Sequence, residues 1–187
     1  MSAQKIRSVT ELRELVHDGL KSKYVLFWGH TPTQDGSISK SCFSQWFEAA
    51  FQVDGVRYPT AEHFMMAQKA RLFSDQAALA KVLKAASPGA AKAAGREVAG
   101  FNEQTWLEQR WDIVVKANLE KFSQNPALLE FLLATHDRIL VESSPVDKIW
   151  GTGIAADDAR AEIPSEWEGL NLLGFALMEV RTRLAES

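Results

Sequence analysis

Short polar residues and prolines mark the helix starts of this chain, and they limit how long each helix can be. In SPGAAKAAGREV, Ser87 stands as a cap and Pro88 takes the first helical position, where its missing N–H costs nothing. NPALLEFLLAT repeats the device with Asn125 and Pro126. In YPTAEHFMMAQKARLF, from Tyr58 to Phe73, Pro59 ends an extended segment and Thr60 sits where an N-cap belongs. These signals predict helices over 60–73, 75–86, 88–98, 103–123, 126–135 and 171–185. Earlier in the chain, 8–20 has leucines at helical spacing behind a Ser/Thr start, and 23–29 reads as a short buried strand. VDG at 53–55 is a hairpin-type turn between two short strands, and 138–143 reads as a further strand. The expected fold class is α+β, predominantly α-helical with a small β-sheet.

With 187 residues the chain is long enough for one sizeable core, so a single domain over 1–187 is expected, with an N-terminal helical extension over about 1–22. No apolar run approaches the roughly 20 residues needed to span a bilayer, which excludes a spanning helix. MSAQKIRSVT lacks the apolar core of a signal peptide, and the single cysteine, Cys42, excludes an internal disulfide. A cytoplasmic location is the expectation from both. A net charge of −3 gives no bulk attraction to nucleic acid.

The candidate chemistry centres on Glu62 and Lys69. Seven helical positions return to within about 20° of one direction, roughly 10 Å along the axis, so a small substrate fits between carboxylate and amine. The plain alternative is that Glu62 complements the helix dipole while Lys69 snorkels to water. His63 has no partner at metal-ligand spacing, and His17, His30 and His136 are scattered, so no metal site is expected. The glycines of WGTG match neither the dinucleotide-binding nor the P-loop spacing. Trp111 lies on a helical stripe with Val114, Val115 and Asn118, either as core or as a stacking platform. Asp147 precedes Trp150 and Gly151 in a turn, either as a turn former or as a carboxylate for sugar hydroxyls. Lys92 and Arg96, four apart, suit a phosphate or a solvated basic face.

Taken in order, FWG, FSQWF, YPTAEHFMMAQKA, AGR at 94–96, RWDIVVKANLEKF, DKIWGTG and NLLGFALMEVRTRL resemble the NADAR (YbiA-like) superfamily, over about Tyr24 to Leu184. The resemblance implies a YbiA-like fold and cleavage of an N-glycosidic bond between ribose and an amine-bearing base. Its members include the riboflavin biosynthesis intermediates N-glycosidase, which releases ribose 5-phosphate from ribosylamino-pyrimidine 5′-phosphates. It implies Glu62, Lys69, Trp111 and Asp147 as catalytic residues, with Lys69 suited to a Schiff base. It places Phe27, Trp28, Gly29, Phe43, Ser44, His63, Arg96, Trp150, Gly151 and Asn171 at the substrate.

The expected partner is therefore a small ribosylated pyrimidine or purine phosphate, with no cofactor and no metal. Nucleic acid enters only under an alternative reading, removal of ADP-ribose from guanine bases; a second alternative is a non-catalytic module that binds NAD or ADP-ribose. Against compact members, Thr152–Leu170 intervene between WG and N-x-LG, and the N-terminal helix and the loop at 31–41 are additional. These additions are expected to lid or reshape the ligand end.

Overall fold

The computed structural model describes residues 6–186. The first five residues of the expected N-terminal extension lie outside the described residues. Two compact units form, one from Met1–Ser44 with Ala127–Ser187 and one from Gln45–Pro126.

The Gln45–Pro126 unit starts with a hairpin. β2 (Phe51–Val53) pairs antiparallel with β3 (Val56–Tyr58). Asp54 and Gly55 turn the corner with φ of 50° and 78°, the doubly left-handed geometry that matches strand twist. The hairpin presents Phe51 and Tyr58, stacked at 5.9 Å, to Phe64 of α2 (Ala61–Leu72). Thr60 caps α2 by accepting the His63 N–H at 3.3 Å. α2 then packs against α3 (Gln76–Leu83), α4 (Pro88–Arg96) and α5 (Glu103–Ser123). Helices on several sides explain its composition: eight of its residues are buried and no polar stripe runs along it.

Three contacts fix those neighbours. Gly95 of α4 lies against Met66, and a Cβ at Gly95 would fall 2.8 Å from the Met66 Cγ, so only glycine allows this approach. Asp75 caps α3 through the Ala78 N–H at 2.9 Å and takes the Ala99 N–H at 2.8 Å on its other oxygen. Those bonds hold its carboxyl below the usual aspartate value. The amide of Asn125 donates to Lys121 O and Ala50 O; it ties the end of α5 instead of serving only as a cap for the next helix.

In the other unit, β1 (Tyr24–Phe27) pairs in parallel with β4 (Ile139–Glu142), Tyr24 opposite Ile139 and Phe27 opposite Glu142. The expected single small sheet is thus two separate two-stranded sheets. α1 (Val9–His17) begins with a capping box made by Ser8 and Glu11. α6 (Pro126–Leu133) precedes β4, and α7 (Leu172–Ala185) packs on β4. Among the described residues no helix is long and apolar enough to cross a membrane.

The intervening segment between WG and N-x-LG is packed. Ile154, Ala161, Pro164 and Trp167 are buried, and the Trp167 indole donates to Ala161 O at 3.0 Å. Arg13 of α1 donates to Pro164 O and Trp167 O at 2.8 and 2.9 Å. The two additions to the compact pattern therefore brace each other.

Asn171 joins α7 to β4. In the left-handed region at φ 50°, its side-chain amide donates to Leu140 O at 3.0 Å and accepts from Glu142 N at 2.9 Å, so it stands in for a neighbouring strand. One turn on, a Cβ at Gly174 would meet Leu140 O and both amide atoms of Asn171, the latter at 2.6 Å. Gly174→Ala is expected to lower the unfolding free energy by about 3 kcal/mol in urea titrations, since the carbonyl in its way is backbone. Asn171→Ala should cost about 2 kcal/mol, because two buried backbone groups lose their partner.

Candidate active site

α2 carries Glu62 in its first turn and Lys69 in its last, where the helix dipole favours an anion and a cation respectively. Glu62 is only 3% exposed. Its backbone N–H donates to Gln45 O at 3.0 Å, and the Gln45 side chain accepts from Asn118 of α5 at 2.8 Å. Gln45 thereby fixes the first turn of α2 against α5. Asn118 also bonds Val114 O, so the amide of the Trp111 stripe is a packing element.

Lys69 is half-buried, with Nζ 4.5 Å from the ring centre of Phe101 and 5.6 Å from that of Trp106. Phe73 meets Phe101 edge-on at 5.3 Å and holds that ring in place. The rings favour the ammonium form. Burial and, after it, the Arg96 charge depress the lysine pKa below its ordinary value, and Glu62 opposes them. Close packing of Gly95 on Met66 carries Arg96, at the end of α4, toward α2. Met65 and Met66 of the same helix are buried.

Phe101 and Trp106 were not singled out from the sequence. Trp106 lies five residues before Trp111, about 140° around the helix, so the two indoles leave α5 in different directions. The indole over Lys69 is that of Trp106, and Trp111 is half-buried elsewhere on α5. The signal available was GFNEQTW, two aromatics straddling the Asn102 cap of α5. Lys92 lies 5.8 Å from the ring of Trp46, a second cation–aromatic pair of the same unit.

His63 is 2% exposed with both ring nitrogens engaged, Nδ1 with Thr60 Oγ1 at 2.8 Å and Nε2 with Ala85 O at 3.1 Å. A carbonyl only accepts, so Nε2 carries the proton and Nδ1 accepts from the threonine hydroxyl. The imidazole has no edge left for a substrate, which corrects its placement there. Burial depresses its pKa.

In the other unit, Asp147 Oδ1 accepts from the N–H groups of Ile149 and Trp150, both at 2.8 Å. It shapes the turn that carries half-buried Trp150; among the described residues Oδ2 takes no hydrogen bond. A Cβ at Gly151 would fall 2.8 Å from Glu142 O and 2.9 Å from Asp147 O, so this glycine serves close packing. Phe27 and Phe43 are core residues, edge-on to each other at 5.5 Å, with Phe43 also against Phe131. Their expected contact with substrate is corrected on that ground, as is that of Asn171, whose amide is committed to β4. Ser44 is half-buried and its N–H donates to Ser41 O. Trp28 is 59% exposed, and Gly29 follows it at φ 81° in open space.

A family model described as the NADAR domain matches residues 26–185. The chain belongs to the NADAR family. It is 42% identical over 164 residues to a protein of Acanthamoeba polyphaga mimivirus named N-glycosidase R617, covering 85% of this chain and 95% of that one. It is 33% identical over 153 residues to N-glycosidase YbiA of Escherichia coli (strain K12), covering 82% and 85%. The NMR structure of the E. coli protein YbiA is similar with a TM-score of 0.70 at 28% identity, covering 98% of this chain and 92% of that chain. The helix-rich architecture with few strands is accordingly that of this NADAR relative.

Two titrations follow from the NADAR chain's charges. Arg96→Gln removes a cation that lowers the Lys69 pKa, and Glu62→Gln an anion that raises it, so the two variants should move it up and down respectively in NMR of labelled lysine. The neutral His63 of the fold contributes stability that is complete above the ordinary histidine value of 6.5 and is lost as pH falls through its depressed folded value. Denaturation of His63→Gln at pH 5 and pH 7 should show a smaller difference than the native chain.

Proposed function

We propose that this NADAR protein hydrolyses the N-glycosidic bond of a ribosylamino-pyrimidine 5′-phosphate, an intermediate of riboflavin biosynthesis, and releases the aminopyrimidine and ribose 5-phosphate. The broader activity is that of an N-glycosidase acting on a small glycosylated substrate, in keeping with the names of its relatives. The observation that carries the reading is the half-buried Lys69, set on aromatic rings with its pKa depressed by burial and Arg96.

A ribosylamine bears its sugar on an exocyclic nitrogen, and ring opening turns that bond into an imine. Neutral Lys69 Nζ adds to the anomeric carbon, a C–N bond forms, and the bond to the exocyclic nitrogen breaks. Glu62 shuttles to the departing nitrogen the protons that Lys69 Nζ loses as the Schiff base forms, so the base leaves as a neutral amine. Water then adds to the lysine Schiff base and frees ribose 5-phosphate and the amine. Phe101 and Trp106 supply flat faces for the heterocycle, and Arg96 a charge for the phosphate. The NADAR motif makes Asp147 the candidate for a sugar hydroxyl, with Oδ1 kept for its own turn.

Borohydride added during turnover should trap a sugar adduct on Lys69, detectable by mass spectrometry of the peptide. No adduct, or an adduct that persists in Lys69→Ala, would defeat the covalent step. Glu62→Gln should lower kcat about 10²–10⁴-fold, the usual worth of acid–base assistance. Asp147→Asn preserves an acceptor for the turn, so activity should fall while Tm stays unchanged. Offering the pyrimidine riboside phosphate and ADP-ribosylated guanine side by side settles the substrate: preferential cleavage of the second would replace this reading with nucleic-acid de-ADP-ribosylation.

A further inference from the structure

The Met1–Ser44 and Ala127–Ser187 unit contains a cleft of about 470 Å³ that involves none of the residues proposed for catalysis. Ile6, Leu20, Ile139 and Met178 give it apolar walls, and Lys21 and Arg181 its cations. Arg181, on α7, is only 9% exposed. Its Nη1 donates to Thr135 Oγ1 at 2.8 Å and to Arg138 O at 2.9 Å, both neutral acceptors. Nε and Nη2 make no hydrogen bond among the described residues, and no described carboxylate lies within ion-pair distance of the guanidinium. Glu179 on the same wall is already neutralised by Arg7 at 3.1 Å and Arg183 at 2.8 Å.

A guanidinium taken out of water is costly, and burial has pushed the Arg181 pKa down to about 10 although the Asp137 charge opposes that shift. The Thr135 hydroxyl and the Arg138 carbonyl anchor one nitrogen and leave the rest of the fork, which matches the two oxygens of a carboxylate or phosphate. Exposed Lys21 adds a second cation at the rim, while the exposed Asp137 charge opposes the burial effect on Arg181 only in part.

We propose that this cleft binds a small organic oxyanion with an apolar body, its carboxylate or phosphate head on Arg181 and its tail on Ile6, Leu20, Ile139 and Met178. The site is independent of the glycosidase reading, since none of its residues takes part in that chemistry.

The test uses four probes, hexanoate, hexyl phosphate, hexanol and inorganic phosphate, titrated into the full-length ¹⁵N-labelled protein. Hexanoate and hexyl phosphate should shift the amides of His136, Asp137 and Thr182 saturably. The tighter of the two identifies the head group. Hexanol and inorganic phosphate, each lacking one half of the ligand, should shift them weakly. Lys21→Glu, on the exposed rim, should weaken binding about fivefold without loss of fold, and Arg181→Met should abolish it. If Arg181→Met does not fold, Lys21→Glu decides alone. Absence of shifts at those amides, an equal response to hexanol, or affinity unchanged by Lys21→Glu overturns the proposal.

Discussion

A helix surrounded by protein must place its charges where its own ends can hold them. α2 is that helix: α3, α4, α5 and the β2–β3 hairpin occupy its sides, which buries Glu62 and leaves Lys69 half-buried. The carboxylate stands at the dipole's positive end and the amine at its negative end, which is the one arrangement the backbone itself favours. The Gln45 carbonyl, the Met66–Gly95 contact and the Phe73–Phe101 pair fix the surroundings of the two ends. Burial that is routine for Phe64 thus becomes, for Lys69, the largest cause of a lowered amine pKa.

Helix limits were legible from the sequence because caps are local. Thr60, Ser87 and Asn102 each bond an amide within three residues, and a reader of the sequence needs no tertiary knowledge to find them. The hairpin turn at Asp54 and Gly55 is local in the same sense. The pairing of Tyr24–Phe27 with Ile139–Glu142 is not, since it joins segments more than a hundred residues apart, and the sheet therefore came out as two.

The candidate site divided along a similar line. Glu62 and Lys69 were visible because both lie on one helix, but their neighbours Phe101 and Trp106 arrive from a separate loop and helix. Polar residues in family motifs were the harder case. His63, Asn118 and Asn171 look like ligand contacts until their partners are known, and the partners are Ala85 O, Val114 O and the backbone of β4. A polar side chain in a motif serves either chemistry or backbone pairing, and spacing alone does not separate the two.

The Asn171–Gly174 junction has a consequence for reading other chains of this kind. Asparagine is needed there because β4 presents one donor and one acceptor, and glycine because Leu140 O fills the space a methyl would take. Both requirements would persist in a descendant that had lost its lysine and turned over nothing. The N-x-LG block is therefore a diagnostic of architecture, and a degenerate copy that has become a pseudoenzyme would still carry it.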